Sequence, residues 1–163
     1  MDNNPYQAPG AHVAEAADEQ LAGRGERLLA AIIDGIIMVA IVLPVMFATG
    51  YFTRIQNGDT PAISVTIGYA IAGFLIFLIV QGYPLAKSAQ TWGKKVLGIR
   101  IALLDGTQPT FGTIVLKRYL PVQVVGSVPL IGPLLSIVDV LLIFRSDRRC
   151  AHDLIAGTQV LKG

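Results

Sequence analysis

The sequence predicts an all-α membrane protein with two full transmembrane helices, a shorter helical hairpin and a small cytoplasmic β-element. Three observations carry that expectation. Of 163 residues, 53% are hydrophobic and only 15% charged, whereas about a quarter of a soluble domain is charged; the mean hydropathy is +0.59. Residues 28–47 and 63–80 each approach the roughly 20 apolar residues that cross a bilayer. A third apolar region, 111–144, is interrupted near its middle by the run Gly126-Ser127-Val128-Pro129-Leu130-Ile131-Gly132-Pro133.

Residues 1–22 read as a disordered cytoplasmic tail. Asn3, Asn4, Pro5, Gln7, Pro9 and Gly10 precede Glu15, Asp18 and Glu19, leaving too little apolar surface to offset the entropy of ordering. No basic segment leads into an apolar core there, so the start of the chain does not read as a signal peptide. The rest, 23–163, forms one transmembrane domain with helices expected at about 26–48, 62–83, 111–125 and 130–144. Hydrocarbon offers the backbone no hydrogen bonds, which selects helices for the spans. Ser64, Thr66, Gly68, Ala72 and Gly73 in the second span are small enough to admit a neighbouring helix closely.

Basic residues set the orientation. Arg24 and Arg27 precede the first span, and Lys87, Lys94, Lys95 and Arg100 follow the second. The charge bias places both on the cytoplasmic side of a bacterial inner membrane. Arg145, Arg148 and Arg149 close the third apolar region, so that region returns as a hairpin, with both termini cytoplasmic; a single crossing is the alternative. Arms of about 15 residues reach only about 22 Å, less than the hydrocarbon thickness. Lys117 and Arg118 on the first arm must snorkel or face the protein interior. Between the second span and the hairpin, Leu97, Ile99, Ile101 and Leu103 alternate with Gly98, Arg100 and Ala102, and Asp105-Gly106 closes the run. That is strand periodicity ending in a turn. Gln159-Val160-Leu161 supplies a second short strand to pair with it.

The acidic residues inside the apolar segments are the candidates for function. Asp34 follows Arg27 by seven positions, about two turns and roughly 10 Å along one helix face. Asp139 precedes Arg145 by six, roughly 9 Å inside the last helix. The two carboxylates are therefore expected at one depth, where they share a proton or hold a small cation with Arg27 tuning them. In the structural alternative each pairs with Arg27, Arg118 or Arg145 and fixes how helices meet. His152 and Asp153 are secondary candidates; adjacent side chains usually diverge, and a cap or a salt link from Asp153 to the basic run at Arg148 and Arg149 is the simpler reading. His12 lies in the tail.

Several chemistries find no support. The single cysteine, Cys150, excludes an intrachain disulfide and any cysteine-rich metal cluster. Gly93-Lys94 lacks the spacing of a phosphate loop, and a net charge of +2 is too small to suggest nucleic acid. With no nucleophile, metal set or cofactor loop evident, an enzyme is not expected. The basic stretch 87–100, with Trp92 inside it, suits contact with anionic lipid headgroups, and equally a plain solvated loop.

These motifs together resemble the RDD family of bacterial membrane proteins, named for one arginine and two aspartates. Arg27-Leu28 with Ile33-Asp34 resembles its opening motif. Gln90-Thr91-Trp92-Gly93-Lys94 and Gly98-Ile99-Arg100-Ile101 resemble its centre. Asp139, His152-Asp153 and Ala156-Gly157-Thr158 resemble its close. The likeness spans about 23–161. It implies that Arg27, Asp34 and Asp139 are the name-giving residues, with Asp153 the other position open to the second aspartate. It also implies a transport role, monovalent cation/proton antiport having been attributed to some members. The expected partners are the lipid bilayer, H+ and Na+ or another monovalent cation, and further copies of the chain. The alternative is a non-transporting membrane adaptor or assembly protein.

Overall fold

The computed structural model describes residues 21–128 and 131–163. Helix α1 (Arg24–Ala48) and helix α3 (Ile63–Ser88) are the two long apolar elements, joined through the short α2 (Tyr51–Gln56). Both long helices are apolar enough and long enough to cross a membrane. Their apolar side chains are mostly unburied: Ile36 is 64%, Phe47 64% and Ile79 80% exposed. Surface of this extent is abnormal for a chain meant to face water.

Helix α3 runs past the expected end at 83, through Pro84 to Ser88, where Ala89 turns left-handed at φ 50°. The tight α4 (Trp92–Val96) follows. Strand β1 (Ile99–Leu103) then pairs antiparallel with β2 (Thr158–Lys162), Ile101 facing Val160. The alternating pattern in 97–103 is thus a strand over its last five residues, with Leu97 and Gly98 in the turn after α4, and its partner is the short C-terminal run.

The third apolar region consists of a π-helical segment (Thr113–Tyr119) continuing into α5 (Leu120–Gly126), then α6 (Ile131–Leu141) with a terminal 3-10 turn (Leu142–Phe144). The two arms pack together closely at the turn. A Cβ built on Gly132 would stand 2.5 Å from the Gly126 carbonyl oxygen, so only glycine permits this approach. Gly68 and Gly73, expected to admit a helix neighbour, have nothing within 4 Å of such a Cβ; the close contacts lie elsewhere. The region returns to where it began. Arg24 Nε on the first turn of α1 donates to the Ile143 carbonyl at 3.2 Å, while Arg118 on the first arm reaches the C-terminal unit. Helix α7 (Ala151–Ala156) and β2 close the chain.

Two small buried clusters gather at this end. One joins Ala22, Ala30, Ile99 and Val160; the other joins Leu85, Ala89, Ile101 and Ile114. Ala22, expected in the tail, belongs to this core, its N–H donating to the Val160 carbonyl at 2.9 Å, and Leu21 beside it bridges Leu161. The remainder of the expected tail, including His12, lies outside the described residues.

Candidate functional site

Asp34 stands apart from the other acidic candidates, while Asp139 and Asp153 lie on either side of His152. Asp34 faces the loop that carries α4. Its Oδ1 accepts from Gln81 Nε2 at 3.1 Å and from Gly93 N at 2.8 Å, and its Oδ2 accepts from the Thr91 hydroxyl. Thr91 is the N-cap of α4, its hydroxyl also accepting from Lys94 N. Asp34 therefore supplies, from another helix, the acceptors that the first turn of α4 lacks. Gln81, fully buried, completes the joint: its Oε1 accepts from Trp92 N at 2.8 Å, and the Trp92 indole donates to the Val80 carbonyl at 2.8 Å. Gly93 lies so close to α1 that a Cβ there would stand 2.2 Å from the Ala30 carbonyl oxygen. The Gln90–Lys94 motif is the clasp that docks α4 on α1 and α3.

Arg27 does not pair with Asp34. Two turns of helix separate them, more than a hydrogen bond spans, and each finds partners at its own level. Arg27 donates to the Arg148 carbonyl and to Asp153 Oδ2, and Arg118 donates to Asp153 Oδ1. Asp153 is fully buried, Arg118 2% and Arg27 7% exposed. The same carboxylate accepts from Cys150 N at 3.1 Å, capping α7, and from the Thr158 hydroxyl at 3.3 Å. The salt link expected of Asp153 thus exists, but to distant Arg27 and Arg118 rather than to Arg148 or Arg149. Burial alone would push the Asp153 carboxyl up; the charges of Arg118, His152 and Arg27 overcome this and hold it well below the ordinary range. The π-helical segment carries Arg118 inward while Lys117 stays exposed, an example of this rare geometry occurring where a side chain has a special task.

Asp139 pairs with His152. Its Oδ2 lies 2.6 Å from Nδ1, and its Oδ1 accepts from His152 N at 3.1 Å. The His152 Nε2 is 3.9 Å from Asp153, so the histidine stands between two carboxylates. Burial and then the Arg118 charge push its pKa down, against the pull of both acids. The pair lines a groove of about 240 Å³ with Pro121, Val125, Leu135 and Ile155. Arg145, named as a possible partner of the acidic residues, instead binds half-buried Asp147 at 3.2 Å.

Asp34 and Asp139 share no hydrogen-bond partner, and neither pairs with an arginine. The common carboxylate site expected from depth alone is not formed. Equal depth along two helices fixes neither the rotation of each nor the donors brought up by intervening loops. Gln81 escaped sequence reasoning, the one signal being a glutamine that closes the apolar run Leu78-Ile79-Val80, and Thr91 entered only as a member of the Gln90–Lys94 motif, without a role.

The ligand atoms of Cys150, His152 and Asp153 lie within 4.8 Å of one another. A cation would fare badly there. Both Asp153 oxygens are held by guanidinium groups, and burial pushes the Cys150 thiol up to about 11, keeping it protonated. The arrangement does the work of a buried ionic fastener, tying α1, the π-helical segment and α7 together at one carboxylate.

Comparison with known proteins agrees with these motifs. The chain is 33% identical over 141 residues to the uncharacterized protein YckC of Bacillus subtilis, covering 85% of this chain and 83% of that one. It is 28% identical over 142 residues to an uncharacterized protein of Haemophilus influenzae, covering 86% and 78%. No solved structure matches it. The family model for the RDD family matches residues 21–157, and the chain belongs to the RDD family.

Proposed function

We propose that this protein is a small multi-pass inner-membrane protein, both termini cytoplasmic, that acts as a non-transporting adaptor or assembly module. In this reading its arginines and aspartates hold the fold, and it is not an enzyme. The membrane setting is supported by the exposed apolar surface of α1 and α3 and by the basic residues clustered near the ionic fastener. The observation that carries the structural role is the saturation of the acidic groups. Asp34 has three protein donors and Asp153 two guanidiniums with a capped N–H. A carboxylate occupied in this way must lose its protein partners before it can hold a travelling ion.

The test is proton flux in proteoliposomes under an imposed gradient of Na+ or K+, with Asp34→Asn and Asp139→Asn beside wild type, and folded abundance measured for each. Lack of cation-dependent flux in wild type, with reduced abundance of Asp34→Asn, is the expected outcome. Coupled flux abolished in a well-folded variant would overturn it.

A monovalent cation/proton antiporter is the second reading, favoured by the Asp139–His152 pair beside its groove. Here Asp139 and His152, not Asp34, would exchange the proton, so flux would be lost in Asp139→Asn and retained in Asp34→Asn.

A further inference from the structure

A second cavity lies beside the ionic fastener, on the α1 side of His152. It has a volume of about 80 Å³, well above the ~10–15 Å³ that one water needs. Its polar lining is Arg27, Lys94, Arg118, Cys150 and His152, with Leu28, Ala31, Val140 and Ile143 as apolar wall. Three permanent positive charges thus border one small space, and no carboxylate lines it. Asp153, outside the lining, offsets one of the three.

Two of these cations have donors to spare. Arg118 is 2% exposed, and its Nη1 is taken by Asp153 and Thr158, but its Nε is buried with no hydrogen-bond partner. A buried donor left unmade costs about 1–3 kcal/mol, so such an atom is worth an explanation. The Lys94 ammonium, half-buried on α4, makes no ion pair or hydrogen bond among the described residues. An anion with several acceptor oxygens would satisfy both at once.

We infer that this cavity binds a phosphate-type oxyanion, either the headgroup phosphate of a phospholipid or free phosphate, held between Lys94 and Arg118. Recognition is by cationic side chains, not by the amides of a glycine-rich loop. Cationic groups in a walled recess attract an anion more strongly than the same groups on open surface. The Cys150 thiol, neutral, adds no opposing charge. The inference does not depend on whether the protein transports ions.

The experiment uses the full chain purified in maltoside detergent. Isothermal titration calorimetry at fixed ionic strength would follow binding of inorganic phosphate and, separately, of short-chain phosphatidic acid, with short-chain diacylglycerol as the phosphate-free control. Saturable binding of phosphate assigns the site to the free anion. Binding of phosphatidic acid alone, with none of diacylglycerol, assigns it to a headgroup. Lys94→Gln is expected to weaken the bound ligand about tenfold, the scale of one lost charge-assisted contact. Lys94→Arg should restore binding, and Lys95→Gln, which removes a charge from the same helix outside the cavity, should leave it unchanged. The Lys94 ammonium has no ion pair or hydrogen bond among the described residues to lose, so Lys94→Gln should elute as wild type does. The inference is overturned if neither ligand binds, if diacylglycerol binds as well as phosphatidic acid, or if Lys94→Gln binds as wild type does. It is equally overturned if Lys95→Gln weakens binding as much as Lys94→Gln.

Discussion

Asp153→Asn is the sharpest perturbation of the fastener. In the native protein one buried carboxylate faces two guanidinium groups, a backbone N–H and a hydroxyl. Asparagine keeps one acceptor oxygen but turns an NH2 toward an arginine, leaving two buried positive charges with no counter-charge. Removing one partner of a buried pair costs about 3–5 kcal/mol. For a chain of this size that lowers the melting temperature by on the order of 10 °C. The assay is size-exclusion chromatography of the detergent-solubilised protein after stepwise heating. The pH dependence supplies an internal check. Because the carboxyl is held low in the folded protein, its contribution is fully present above its unfolded value of ~3.9 and fades only as pH falls below that. The gap between wild type and variant should therefore stay constant from about pH 7 to 8, and widen below about pH 6.5, where His152 loses the pull of the Asp153 charge. Replacing the set together, by Arg27→Met, Arg118→Met and Asp153→Leu, should recover most of the loss, since apolar replacements of whole buried ionic sets are often neutral or better. A melting temperature for Asp153→Asn within about 2 °C of wild type, the range of a surface substitution, would refute the reasoning.

Further perturbations test the clasp and the histidine. Gly93→Ala drives a methyl into the Ala30 carbonyl of α1; a loss of about 1–3 kcal/mol should appear as reduced folded abundance. Asp34→Asn leaves a donor of the α4 turn unmatched, costing about 1–3 kcal/mol. It should also shift the fluorescence of Trp92, the chain's single tryptophan, to the red as the indole loosens from Val80. His152 has a folded pKa below its ordinary 6.5, so as pH falls through that value the unfolded chain takes up more protons than the folded one. Stability should be level above about pH 6.5 and decline below it, and His152→Gln should flatten that decline in a pH series of melting curves.

The apolar elements were open to sequence reading because their signals are local. Two long apolar runs, the first broken only by the charge of Asp34, a Gly/Pro break and a period-two stretch each declare a backbone conformation without reference to the rest of the chain. The pairing of 97–103 with the C-terminal run also followed, since a lone short strand must find a partner. The ionic contacts were not legible, and the reason is geometric. Seven residues put Arg27 and Asp34 on one face of α1, and that inference stands; but a shared face two turns apart permits independent partners. Those partners came from far along the chain, Gln81 and Thr91 for Asp34, Asp153 for Arg27. Depth within a span was equally weak as a guide for Asp139, because His152, after the hairpin has closed, folds back to meet it.

For the position open to the second acidic residue of the family signature, the contacts favour Asp153 over Asp139. Asp139 pairs with a histidine and lines an open groove, whereas Asp153 is, among the described residues, the acid that contacts Arg27. If the signature is a fastener, loss of stability should rank Asp153→Asn first, Asp34→Asn next and Asp139→Asn last. That order follows the charge each carboxylate balances: two guanidiniums, then none but three neutral donors, then a histidine with partial access to water. An ion exchanger predicts a different separation, in which Asp139→Asn keeps its melting temperature and loses flux. Measuring both quantities on the same three variants distinguishes the two, because a group cannot be the least important to folding and the most important to flux unless it was placed for the latter.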